Sequence, residues 1–168
     1  TVAFVAPQYL ATGLNPTAVA AEDINQDGRV DIMVTNGNQN SVSVFINQTT
    51  TPGPLTFQTI GPFNVSILPT AVAVGDIDDD GILDVITANQ TDDSIAVIRG
   101  TTQSPAAPVT FDFVQVLNIV PIASTITKLS LADVNSDGRL DIVAATDSND
   151  SVSVFYNLTL TGETNIAF

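Results

Sequence analysis

An all-β fold of short antiparallel strands is predicted by three features of the sequence. Short apolar runs rich in Val, Ile, Phe and Thr alternate with clusters of Asn, Asp, Gly and Pro, as strands alternate with turns. No stretch sustains a 3.6-residue period between helix caps, so helix is expected to be nearly absent. One pattern is also written three times in tandem, which makes each copy a supersecondary unit that needs its neighbours to bury a face.

The repeat is clearest in an acidic segment. Asp23-Ile24-Asn25-Gln26-Asp27-Gly28-Arg29-Val30-Asp31 recurs as Asp76-Ile77-Asp78-Asp79-Asp80-Gly81-Ile82-Leu83-Asp84, and again as Asp133-Val134-Asn135-Ser136-Asp137-Gly138-Arg139-Leu140-Asp141. Ten residues after the last Asp of each copy, a Ser opens an alternating run: Ser41 to Phe45, Ser94 to Ile98 and Ser151 to Phe155. Upstream, Asn15-Pro16-Thr17-Ala18-Val19-Ala20 parallels Leu68-Pro69-Thr70-Ala71-Val72-Ala73, whereas the third copy has Ile126 in place of the Pro. A Phe lies near the start of each copy, at Phe4, Phe57 and Phe111 or Phe113.

Four strands are expected per copy. In the second they are Phe57 to Ile60, Ala71 to Gly75, Leu83 to Ala88 and Ser94 to Arg99, with counterparts in the others. A tandem unit of four antiparallel strands is a β-propeller blade, and blades stack face to face around an axis. Ala18 to Ala21 and Ala71 to Val74 suit the innermost strand, because converging strands leave room only for small side chains. Residues 1–168 therefore read as one propeller segment of three blades, over about 4–56, 57–110 and 111–168. An outermost strand is expected at Phe4 to Leu10, and another would begin after Ile166-Ala167-Phe168, leaving the third blade short of its outer strand.

Composition narrows the functions. Four Lys and Arg against eighteen Asp and Glu give a formal charge of -14, which a nucleic-acid backbone or an anionic membrane repels. With neither Cys nor His, thiolate chemistry, imidazole catalysis and most zinc or iron sites are excluded, and the plentiful metal ligands are oxygens. No apolar run approaches the roughly 20 residues that span a bilayer. Thr1 to Leu10 lacks the charged start and apolar centre of a signal peptide, so these residues read as the interior of something longer.

The order of Phe, Pro, small-residue strand, Asp-x-Asn/Asp-x-Asp-Gly-x-x-Asp and apolar strand resembles the FG-GAP and VCBS repeats of integrin α-subunit propellers and their bacterial relatives. The resemblance spans nearly the whole sequence. It implies that the acidic loop joins the first and second strands of a blade and binds calcium, and that terminal strands complete one blade to close the ring. Such rings usually hold seven blades, so three imply either part of a larger ring or a part-propeller that assembles with other chains.

Calcium takes six to eight oxygen ligands, which a short loop supplies from alternate positions around a Gly turn. By spacing, the first loop offers Asp23, Asn25, Asp27 and Asp31, with the carbonyl of Arg29, whose side chain is expected to point away. The second offers Asp76, Asp78, Asp80, Asp84 and the Ile82 carbonyl; the third offers Asp133, Asn135, Asp137, Asp141 and the Arg139 carbonyl. Three calcium sites are expected. An EF-hand would need a Glu at its twelfth position, where Val34, Thr87 and Ala144 stand. Asp, Asn and Gly also make ordinary turns, but a turn has no use for four ligand positions kept in register three times.

Other residues have plainer roles open to them. Asn47, Asn64, Asn89, Asn149 and Asn157 open glycosylation sequons. The turns Asn36 to Asn40, Asn89 to Asp93 and Asp147 to Asp150 recur at one place and would form either a ligand rim or simple hairpins, and Tyr9 or Tyr156 could stack on a sugar. Catalysis would have to use adjacent acids such as Asp78 and Asp79 or Asp92 and Asp93, whose side chains normally diverge, so no enzyme is expected. The expected function is a calcium-binding module for adhesion, ligand binding or structural support, secreted or at the cell surface. The alternatives are a carbohydrate-binding lectin propeller and a non-catalytic repeat region of a larger secreted enzyme. Expected partners are a protein or carbohydrate ligand, and further blades from the same chain or a second copy.

Overall fold

The computed structural model describes residues 6–50, 53–102, 108–118, 125–147, 150–161 and 166–168. The first sheet holds β1 (Pro16–Glu22), β2 (Asp31–Asn36), β3 (Ser41–Asn47) and β4 (Phe57–Asn64) in that order. The second repeats it with β5 (Pro69–Gly75), β6 (Asp84–Asn89), β7 (Ser94–Gly100) and β8 (Phe111–Asn118). The third has β9 (Ile126–Ala132), β10 (Asp141–Thr146) and β11 (Ser151–Phe155). All pairings within the sheets are antiparallel. The one helical element among the described residues is a single 3-10 turn, Gly37–Gln39. The all-β, blade-like architecture read from the sequence is thus the observed one.

The sheets run one strand out of phase with the repeats. The Phe-led strand opening the second copy, β4, pairs with β3 through Asn47 and Phe57, and β8 likewise pairs with β7. Each of these connections starts from the same backbone bond, Gln48 N–H to the Thr56 carbonyl and Thr101 N–H to the Thr110 carbonyl. The third sheet repeats that bond from Leu158 N–H to the Ala167 carbonyl at 2.8 Å, and β11 remains its outer strand among the described residues. At the other end the expected strand from Phe4 to Leu10 is not found: residues 1–5 lie outside the described residues, and residues 6–12 pair with no strand. A strand there would need a sheet edge to pair with, and β4 already covers the outer edge of the first sheet.

The first strands of the sheets converge, β1 against β5 and β5 against β9. Their small residues permit this approach, and a repeated bulge ties them together. The register skips one residue opposite each inner strand, leaving Thr17, Thr70 and Thr127 outside the ladder. Thr17 Oγ1 donates to the Pro69 carbonyl at 2.5 Å, and Thr70 Oγ1 to the Ile126 carbonyl at 3.0 Å, each reaching the next sheet. Two apolar layers fill the gaps. Ile24, Met33, Val42, Val44 and Ile46 meet Val72, Val74, Val85 and Ile98 between the first and second sheets. Ile77, Ile86, Ile95 and Val97 meet Ile126, Leu131, Ile142 and Phe155 between the second and third. The strands that feed both layers put alternate residues on opposite faces, which is why the middle strands read as almost continuous apolar runs.

Candidate metal centres

Each acidic loop joins the first and second strands of its sheet: β1 to β2, β5 to β6 and β9 to β10. The backbone is shaped by the acids themselves. In the second loop the Asp76 carboxylate accepts from Asp80 N–H at 3.0 Å and Gly81 N–H at 2.8 Å, while Asp80 Oδ1 accepts from Ile82 N–H at 2.8 Å. Asp84 closes the loop by accepting from Ile77 N–H at 3.0 Å and Gly100 N–H at 2.8 Å. Asp23, Asp27 and Asp31 make the same bonds in the first loop, and Asp133, Asp137 and Asp141 in the third. Gly28, Gly81 and Gly138 turn with φ of +84°, +87° and +91°. A Cβ there would meet nothing within 4 Å, so the left-handed backbone alone accounts for the glycine.

The loops differ in electrostatics. One carboxylate oxygen each from Asp76, Asp78 and Asp84 lie within 4.8 Å of one another, and this is the one such acidic cluster among the described residues. Asp78 and Asp84 are fully buried, and Asp78 Oδ1 has no hydrogen-bond partner. Burial pushes the Asp84 carboxyl up to about 7, against its two backbone hydrogen bonds, and burial raises Asp76 and Asp31 as well. A buried polar oxygen without a partner costs roughly 1–3 kcal/mol, so the second loop combines oxygen donors that could hold a hard divalent cation with one oxygen that no protein group satisfies. In the first and third loops the third position is Asn25 or Asn135, each of which donates to the neighbouring Asp at 3.0 Å.

Three of the four cationic residues in the chain serve these loops. Arg29 folds back onto Asp27 and Arg139 onto Asp137, instead of pointing away as expected from the spacing. The nearest uncompensated charge for either guanidinium is the carboxylate two residues before it, and its Nε is held by the Asn47 or Asn157 carbonyl. The second loop has Ile82 at that position, and its arginine arrives from the end of β7. Arg99 donates to Asp78 and, at 2.8 Å, to Asp80, and these anions raise its own pKa. Asp80 stands outside the triad formed by the other three acids. Arg99 was not singled out from the sequence, and Asn47 and Asn157 were read there only as sequon asparagines. The signal was the exchange of Arg for Ile at position 82 together with the lone Arg at the end of the matching strand.

The remaining sequence candidates resolve differently. Asn89 and Asn157 are fully buried and hydrogen-bonded, so a glycan on either is incompatible with the fold, whereas Asn64 is exposed; Asn149 lies outside the described residues. Within the recurring turns, Asn36, Asn89 and Asp92 point into Ser-rich hydrogen-bond networks, while Asn38, Gln39 and Thr91 are exposed; residues 148 and 149 of the third turn lie outside the described residues. Asp78 is buried and Asp79 exposed, so that pair does diverge.

No curated protein matches the chain. A family model does match, in two overlapping stretches, residues 23–87 and 76–144, each beginning at the first Asp of an acidic loop and running through the next. With blades, loops and matched residues in agreement over most of its length, this chain belongs to the FG-GAP-like repeat family.

Proposed function

We propose that the chain is a calcium-stabilised β-propeller module that acts outside the cell as a binding or structural element, without catalysis of its own. The observation that carries this is the buried triad Asp76, Asp78 and Asp84 with its unpartnered oxygen. Calcium there would be held by those carboxylates, and its chemistry would be charge neutralisation that pins the first turn of the blade. The first and third loops supply the same positions with one carboxylate fewer. Modules of this kind bind in the roughly 0.1–1 mM range that suits extracellular calcium. Among the described residues no helix is long and apolar enough to cross a membrane.

Calorimetric titration with calcium is expected to give three sites. Replacing Asp27, Asp78 or Asp137 by Ala should remove one site each and leave the other two titrating. An unchanged heat in all three variants would mean that the loops are turns and nothing more.

A further blade as partner is favoured by one comparison between sheets. Val134, Val152 and Val154 are 46%, 67% and 40% exposed, while their counterparts Ile77, Ile95 and Val97 are at most 1% exposed under the following sheet. The exposed apolar face of the third sheet supports reading another blade there, from a longer chain or from a second copy. For the second copy, sedimentation at rising concentration should show association that Val152→Asp abolishes. A chain monomeric at all concentrations would leave further sequence as the source.

A further inference from the structure

We propose that Asn157 is a positioning residue that couples the third calcium loop to the second, so that these two fill cooperatively while the first fills alone. The inference rests on the calcium reading above.

Asn157 follows β11 and is fully buried. Its backbone N–H donates to Asp141 Oδ1 at 2.8 Å, and its carbonyl accepts from Arg139 Nε at 3.0 Å. Its side-chain oxygen accepts from Thr159 N–H at 3.0 Å, and Nδ2 donates to the Leu140 carbonyl at 3.0 Å. The bond from Thr159 fixes the side-chain amide itself, and the other three hold the third loop. A fifth leaves it: Nδ2 also donates to the Ile77 carbonyl at 2.7 Å, 80 residues away in sequence. Ile77 stands between Asp76 and Asp78, and its own N–H is held by Asp84. The peptide that orients the second loop's acids is thus gripped on one side by its own closing acid and on the other by the residue that grips the third loop's closing acid. Thr161 adds a contact to Asp79 Oδ2 at 2.9 Å.

The other two sheets provide the contrast. Asn47 occupies the same place after the first loop and makes the same four local bonds, to Asp31, Arg29, Thr49 and Val30. The residue that could reach from the second sheet to the first loop is Gly100, which has no side chain to do so. A Cβ there would stand 2.4 Å from the Leu83 carbonyl oxygen and 2.8 Å from the Ile82 side chain, so the second sheet has no room for an asparagine at this place. Ordering Asp141 around an ion therefore orders Asn157 and, through it, the Ile77 backbone; among the described residues no equivalent bond joins the second loop to the first.

The test is a calcium titration followed at the amide resonances of Gly28, Gly81 and Gly138, which report the three loops separately. Emptying the third loop with Asp137→Ala should raise the calcium concentration that half-fills the second by about five-fold or more, and leave the first within two-fold. In an Asn157→Ala background the same Asp137→Ala change should leave the second loop where that background put it, while Asn47→Ala should shift the first loop alone. Should Asn157→Ala fail to fold, Asn157→Gly copies the residue the second sheet uses there, and in the unaltered protein the Gly81 and Gly138 curves should be steeper than that of Gly28. Independent curves with calcium bound at all three loops, or equal sensitivity with and without Asn157, would overturn the coupling. If no glycine moves, the calcium reading itself falls.

Discussion

Removing calcium is expected to lower the melting temperature by at least about 5–10 °C. Each loop that binds only in the folded state stabilises it by about 2.7 kcal/mol at a hundredfold excess over the dissociation constant. For a domain of this length each kcal/mol moves the midpoint by roughly 2–4 °C. One filled site already gives that range, and three give considerably more. The largest part should come from the second loop, where the ion would satisfy Asp78 Oδ1 and offset the mutual repulsion of Asp76, Asp78 and Asp84. Thermal melts of protein dialysed free of metal, with and without added calcium, decide this. Magnesium is a useful contrast, because it dehydrates reluctantly and demands octahedral geometry. Coincident melts in all three conditions would be irreconcilable with calcium as the loops' ligand.

Acidifying the metal-free protein from pH 8 to pH 5 should stabilise it, against the usual behaviour of acidic proteins. Asp84 has its folded pKa raised by burial to about 7, and Asp31 and Asp76 are displaced the same way. In the unfolded chain such groups titrate near 3.9. Between about pH 4 and pH 7 the folded state therefore holds a proton that the unfolded state does not. Its stability contribution is complete below the unfolded pKa and is lost as the pH rises through the folded one. For Asp84 this amounts to a few kcal/mol, at about 1.4 kcal/mol per unit of displacement. Calcium removes this gain, because the ion needs these carboxylates ionised. With calcium at saturation, stability should stay nearly level from pH 8 to pH 5 and fall only as the pH approaches the unfolded carboxyl value of about 4. Melting curves at four pH values, metal-free and calcium-loaded, should therefore converge on acidification. A metal-free midpoint that declines steadily on acidification would show that Asp84 is ionised throughout.

What the sequence determined by itself was the part governed by local spacing. Strand alternation, turn chemistry and the threefold acidic segment were enough for an all-β stack of blades with one loop between the first two strands of each, because residues a few positions apart settle those features. The acid-to-backbone bonds that shape each loop are local in the same sense. The tertiary structure decided what depends on partners far along the chain. Strand β4 is written with the second repeat but hydrogen-bonds to the first, since the hairpin from β3 is its nearest edge. The three loops look alike in sequence, yet the stacking of sheets buries much of the first and second, leaves the third open, and brings Arg99 to the second from β7, 19 and 21 residues beyond the acids it meets. The bond from Asn157 to Ile77 spans 80 residues and exists only because the third sheet lies against the second. Periodicity can report which face of a strand is apolar; it carries no information about which carbonyl a buried amide will find on the neighbouring sheet.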